Sequence, residues 1–462
     1  MRFLELTLLA VYGLLIFRAA CNPGRRTPGG FFVNNRQSGA LGVGFSIIVS
    51  CVGASATIGM IGMAFAVGTP AFWWLGAGAA GLVLLSLLLA RIVRGSGAYT
   101  LPHMAEGFLG APVRPVMSLV IVTAWTAILA AQFAALTKVL EPLTGFSPLA
   151  CLGLGLLLIC GHTLGGQSAV MRADRVQALI ILLALLAMLG WLTLHNPAWP
   201  ASVSFEVVNA DFSPGQLLYF LLVVGANYLV CPMLFGRMLS AKNERSARLG
   251  GLIGAGGIAL CAGLIVAVGL ASKGLVPADT ARDDVLPALL GSVLPAWLGL
   301  AVSFALISAI VSSADSCLIT AATVLSFDLL GNKGGRRGAP ADGGAVRRGQ
   351  ACVAVLGLSG AALSLWGKGI LGFLLMAYDV FACGVVMPIF VGLLLHRRRR
   401  IKSRWACAAV AFGGCFGLGA AVTGDALWSY AGMSVSFFLT LCGTYDGGRV
   451  LHATDGQGAL PR

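Results

Sequence analysis

The chain has 462 residues, of which 58% are hydrophobic and only 10% charged. Soluble globular proteins carry about 25% charged residues. There is too little charge here to clothe several water-facing domains, which argues against a cytosolic enzyme, a disordered protein and a nucleic-acid binder alike, and for a polytopic membrane protein. The net charge of +14 then reads as cationic loops on the cytoplasmic side of a bilayer rather than as a nucleic-acid footprint.

Stretches of about 20 largely apolar residues give thirteen candidate spans. They lie near 3–20, 40–66, 70–93, 115–138, 146–163, 174–195, 214–236, 247–272, 295–327, 349–367, 369–395, 404–422 and 426–444. With the N-terminus outside, all of the 31 Lys and Arg residues except Arg2, Lys138, Lys273, Arg282 and Lys368 fall on the inner side or at an inner end, as the positive-inside rule requires. The C-terminus is then cytoplasmic, and the chain is integral to the cell (inner) membrane. A competing reading of residues 1–20 is a signal peptide, cut as far along as Cys21. Loops are short, and the tail 445–462 is expected to be mobile. Gly250, Gly254 and Gly257 stand at spacings that let membrane helices approach closely. The 12 Cys form no CxxC pair and read as small core residues rather than a disulfide framework or metal site.

Two spans are locally unsuited to lipid. The second carries Ser50-Cys51-Val52-Gly53-Ala54-Ser55-Ala56-Thr57, and the seventh Val224-Gly225-Ala226-Asn227-Tyr228-Leu229-Val230-Cys231-Pro232. Broken backbone frees polar groups that only a cavity tolerates. Two such spans, five apart, point to an inverted repeat with spans 2–6 and 7–11 as its halves. Tight packing with a Pro kink is the competing reading. The ninth span holds Ser308-Ala309-Ile310-Val311-Ser312-Ser313-Ala314-Asp315-Ser316. Its hydroxyls and carboxylate are hard oxygen ligands suited to a small hard cation, with interhelical hydrogen bonding as the alternative. Asp315 and Asp379 lie within spans and are functional candidates by default. Asp174 opens the sixth span between Arg172 and Arg175, where an interfacial salt bridge is an equal possibility. No Arg or Lys falls within a core span, which disfavours a multiply charged anion as ligand. The Gly76–Gly81 match to GxGxxG lies inside a span with no preceding strand, the five His residues form no HExxH pair, and there is no GxSxG elbow, so an enzyme is not expected.

Six motifs in order carry a resemblance over roughly residues 30–400. They are Gly-Met-Ile-Gly-Met-Ala-Phe-Ala-Val-Gly (59–68), Thr-Leu-Pro-His-Met (100–104), the run from Gly165 to Gln177, the run from Gly236 to Arg248, the run from Ser308 to Ser316, and Ser-Phe-Asp-Leu-Leu (326–330). The chain resembles the sodium/solute symporter family, which includes proline and sugar symporters. The resemblance implies an all-α polytopic LeuT-type fold. Its 5+5 inverted repeat would comprise a first repeat at 40–195 and a second at 196–395. An extra helix and loop precede it (1–39), and two helices with a tail follow (396–462).

The resemblance also implies a sodium site formed by the carbonyls of Val49, Val52 and Ala309 and the hydroxyls of Ser312 and Ser313. A second sodium would use Asp174, Ser312, Asp315 and Ser316. Tyr228 and Asn227 are the implied substrate contacts, with Trp125, Gln132 and Tyr378 further candidates. Asp379 would favour an amine if it faced the pocket. The chain departs from the proline branch at Cys51 and Val224 and from the sugar branch at Ala56. The expected activity is sodium-coupled import of a small organic solute, such as an amino acid or monocarboxylate, by alternating access. Sodium is the coupling ion and no cofactor is expected. The partners are solute, sodium and lipid, with no nucleic acid. Proton coupling through Asp315 or Asp379, or a membrane sensor, are the alternatives.

Overall fold

A backbone in hydrocarbon must satisfy its own N–H and C=O groups, and a helix does so within one segment. The computed structural model accordingly places a helix at each expected span that it describes. It covers residues 7, 9–14, 18, 27–331, 343–367, 369–395 and 400–445. Most of the expected first span, and the tail beyond 445, lie outside the described residues.

In chain order the longer helices are α1 (Ala40–Cys51), α2 (Ser55–Val67), α3 (Thr69–Gly95), α4 (Val113–Thr144), α5 (Pro148–Thr163), α6 (Gly166–His195), α7 (Pro214–Leu239), α8 (Glu244–Ala271), α9 (Ala296–Leu329), α10 (Gly343–Ser364), α11 (Ile370–Leu395), α12 (Ser403–Thr423) and α13 (Ala426–Cys442). Helices α1 and α2 form one span bent by 62°. Among the described residues, eight helices are long and apolar enough to cross a bilayer, or nine with the bent pair. That is fewer than the thirteen expected. Helices α5 and α13 are apolar but shorter, and the apolar part of α10 begins only after Arg348.

Helix α9 lies at the centre, packed against α4 and α6, while α4 also packs on α11. Helix α8 lies along α1. The glycine stripe makes that approach possible: β-carbons at Gly250 and Gly254 would stand 2.6 Å from Val43 and Ile47, and one at Gly257 would run into Ile48. Helices α12 and α13 pack on each other and on α11.

Candidate functional site

The site is built on two interruptions. Helix α1 ends at Cys51, Val52 turns out of helical geometry (φ −91°, ψ 63°), and the chain is helical again at Ala54. The polar groups released there find side chains from two other helices. Ser313 on α9 donates its hydroxyl to the carbonyls of Val49 (3.2 Å) and Ser50 (3.0 Å). The Ala54 N–H donates to Gln132 Oε1 on α4 at 3.1 Å. Gly53 sits directly under these partners, where a β-carbon would run into the Ser313 side chain.

The second interruption is in α7. Cys231 is extended (φ −57°, ψ 119°) and Pro232 opens the following half-helix. Proline has no N–H to give the preceding turn, and its fixed φ suits a first helical position. Just before the break, the Asn227 side-chain amide donates to the Val223 carbonyl (2.7 Å) and the Tyr378 carbonyl (3.2 Å), tying α7 to α11.

Between the two breaks lies a cavity. Its volume is about 50 Å³, room for a water or two at the share of about 30 Å³ that each has in the liquid. Trp125, Gln132, Asn227, Tyr228 and Tyr378 all line it, with Ser313 and Cys51 at the first break and Cys231 at the second. Among the described residues, no charged side chain does. The walls are aromatic and stiff: Trp74 packs on Tyr378 with ring centres 6.1 Å apart, and Trp125 meets Phe381 edge-on at 5.0 Å. Two lining groups are buried without a hydrogen-bond partner among the described residues, the Trp125 indole N–H and the Asn227 carbonyl oxygen. One is a donor and the other an acceptor.

The structure distributes the remaining expected residues over four polar clusters. Val49 and Ser313 meet directly at the first break. Val52 and Ala309 are fully buried, Val52 in the break and Ala309 one helical turn before Ser313. Ser312 turns the other way, donating to Asp174 Oδ1 at 2.7 Å. Asp174 does not stand at the start of its helix. Helix α6 begins eight residues earlier than expected, at Gly166, so its carboxylate is fully buried and also accepts from Ser46.

The four residues expected at a second sodium are not one set. Asp315 points instead to α5, where it bonds His162 Nδ1 and accepts from Thr163 Oγ1 at 2.7 Å. Ser316 bonds Ser50 (2.8 Å) and Arg237. Arg237 also corrects the expectation that core spans lack cations. It lies within α7 with 1% of its surface exposed. Its signal was the apolar pair Met238-Leu239 that follows it, which carries the helix past the expected end at 236. Asp379 does not line the cavity either. Its Oδ1 accepts from Tyr219 (2.7 Å) and from Ser429 of α13 (2.6 Å).

The chain can be set against known proteins on this geometry. Over 224 residues it is 25% identical to the sodium/pantothenate symporter of Haemophilus influenzae, and the match spans about half the length of each protein, 46%. Its backbone superimposes on that of a Na+-coupled sialic acid symporter in a substrate-bound outward-open state with a TM-score of 0.78 at 13% identity, covering 95% of this chain and 97% of the other. A nucleobase-cation-symport-1 family transporter, closed with bromovinylhydantoin bound, gives 0.58 at 15% identity over 92% and 95%. These likenesses establish the LeuT-type fold. A family model matches residues 31–400, the stretch that contains both helix breaks, the cavity and every polar-cluster residue named above except Ser429. The chain is an integral membrane protein that belongs to the sodium:solute symporter family.

Proposed function

We propose that the chain imports a small organic solute together with sodium, by alternating access around the cavity between the two broken helices. The observation that carries this reading is the contact of the Ser313 hydroxyl with the Val49 carbonyl at the first break. Backbone carbonyls freed from a helix and neighbouring hydroxyls are what a small hard cation needs in place of water. Val49, Val52 and Ala309 offer carbonyls, and Ser312 and Ser313 offer hydroxyl oxygens once their protons turn away from their present acceptors. An ion held there fastens α1 to α9 and fixes the wall of the cavity. Coupling is then reciprocal, so solute raises sodium affinity by the factor by which sodium raises solute affinity.

The solute is an amino acid or monocarboxylate with both a hydrogen-bond acceptor and a donor. Trp125 and Asn227 supply the complementary unpaired groups. The uncharged walls leave sodium itself as the positive charge beside a carboxylate. The name of the sodium/pantothenate relative agrees with a carboxylate bearing further polar groups. Residues 40–195 and 196–395 are read as the two inverted repeats, with 1–39 before them and 396–462 after. The N-terminus is read as outside and the C-terminus as cytoplasmic, from the distribution of Lys and Arg.

Uptake into proteoliposomes, with candidate acids tested under a sodium gradient, a potassium gradient and a pH gradient, checks the reading. Accumulation is expected only with sodium. Trp125→Phe keeps the ring but removes the donor, and is expected to raise KM about tenfold, the effect of about 1.4 kcal/mol from one unpaired buried group. Uptake that ignores sodium and follows pH would overturn the ion assignment and move attention to the His162–Asp315 pair.

A further inference from the structure

Trp125, Ile128 and Gln132 recur at helical spacing along α4, and all three line the cavity. Gln132 belongs to the first break as well. Its Oε1 accepts from the Ala54 N–H at 3.1 Å. A β-carbon on Gly53 would come within 3.0 Å of that same oxygen while running into Ser313. The hydroxyl offered to the ion and an amide on the cavity wall therefore close on one unwound residue.

A side-chain amide has an acceptor end and a donor end. The Ala54 N–H is an orphan donor at the start of the resumed helix, and only the oxygen of Gln132 can meet it. That contact fixes which way the amide lies and leaves Nε2 as its free end. Nε2 makes no hydrogen bond among the described residues. The side chain is otherwise buried, with 3% of the residue exposed, so the cavity is where this donor meets a partner.

We propose that Gln132 is the positioning residue through which solute and sodium feel each other. A solute oxygen that accepts from Nε2 fixes the amide and polarises it. Its Oε1 then holds the Ala54 N–H more firmly, and the break stays in the form that offers its carbonyls to the ion. The inference rests on the sodium-coupled reading above and adds the group that carries the coupling.

The test is equilibrium binding of radioactive sodium to the purified full chain, alone and with pyruvate, propionate, L-alanine or L-proline raised until sodium binding stops changing. The ratio of the two sodium Kd values is the coupling factor, expected at about tenfold or more for wild type. Gln132→Met keeps length and volume but loses both ends of the amide. Its sodium Kd without solute is expected to rise several-fold and its coupling factor to fall below about two. Trp125→Phe loses a solute donor that does not reach the break, so solute is expected to bind more weakly with the wild-type factor retained. A factor unchanged in Gln132→Met overturns the proposal, because the residue then only packs the break. A factor lost equally in Trp125→Phe also overturns it, because the coupling then runs through the cavity wall as a whole. If sodium binds wild type and none of the four acids moves it, the functional reading and this inference fall together. Should Gln132→Met not fold, hydrogen exchange of wild-type residues 49–57 in sodium decides: slowing by solute at the Ala54 amide supports the proposal, and unchanged exchange overturns it.

Discussion

The two helix breaks face the same cavity but are made differently. At the first, nothing in the local chain forbids a helix. Glycine lowers the barrier to leaving helical geometry, and the open form is held by partners, with Ser313 on the carbonyls of Val49 and Ser50 and Gln132 on the N–H of Ala54. At the second, Pro232 forbids the helix outright by lacking an N–H and crowding the preceding turn. The first break therefore depends on where α4 and α9 sit, and the second is built into its own sequence. A break held by distant side chains can respond to an ion inserted among them. One fixed by a proline serves better as a constant wall for solute.

The most damaging way to probe this asymmetry is to remove both hydroxyls of α9. In Ser312→Ala/Ser313→Ala the Val49 and Ser50 carbonyls and Asp174 each lose a donor. An ion at the first break also loses two of its five proposed oxygen ligands, and a polar contact to a charged group is worth about 1.5–3 kcal/mol, so sodium binding should weaken by at least about a hundredfold. The half-saturating sodium concentration of uptake, measured on protein shown to be inserted and monodisperse, reads this directly. Unchanged accumulation would mean that the first break does not hold the coupling ion.

A sharper comparison sets one substitution at each break side by side. Gly53→Ala puts a β-carbon into the Ser313 side chain and 3.0 Å from Gln132. Overpacking of this kind costs about 1–3 kcal/mol, and it falls on the two residues that hold the break open. The expectation is a sodium half-saturation raised about tenfold or more, and a lower thermal midpoint. Pro232→Ala restores an N–H and lets α7 run straighter through Cys231. It moves Tyr228 and Asn227 on the cavity wall while leaving Ser313 in place, so solute KM should rise several-fold with sodium half-saturation changed less than about twofold. If the two variants shift the same constant, the breaks do not divide the work as their construction suggests.

Much of this was legible from residue order. Apolar runs located the helices because in lipid a span is a run of about 20 residues. Both breaks were legible because Gly53 and Pro232 interrupt their runs in corresponding spans. Tyr228, Asn227, Trp125, Gln132 and Tyr378 do share one cavity. What could not be read was which neighbours a polar side chain chooses. Ser312 and Ser313 are adjacent, yet a helix turns each residue about 100° from the last, so one meets Asp174 and the other the first break. Asp315 and Ser316 diverge for the same reason. Arg237 escaped because charge near the end of an apolar run looks like a loop, and only the packing of α7 against α1 and α9 makes it a core residue.

Asp379 gives the smallest expected effect and the cleanest separation of burial from function. By sequence it is a carboxylate inside a span, and such residues are functional by default. In the structure its Oδ1 accepts from Tyr219 on α7 and Ser429 on α13, so it joins the second broken helix to an accessory helix from behind the cavity. Asp379→Asn keeps a carbonyl oxygen at the same place, able to accept both bonds through its two lone pairs. What is lost is the charge-assisted part of each bond, which is about twice as strong as its neutral counterpart. The thermal midpoint should fall modestly while solute KM and sodium half-saturation stay within about twofold, because neither ligand meets the side chain. A variant that lost binding of a cationic or amine-bearing solute without losing stability would show instead that Asp379 turns into the cavity during the cycle, and the second break would then be a moving part rather than a wall.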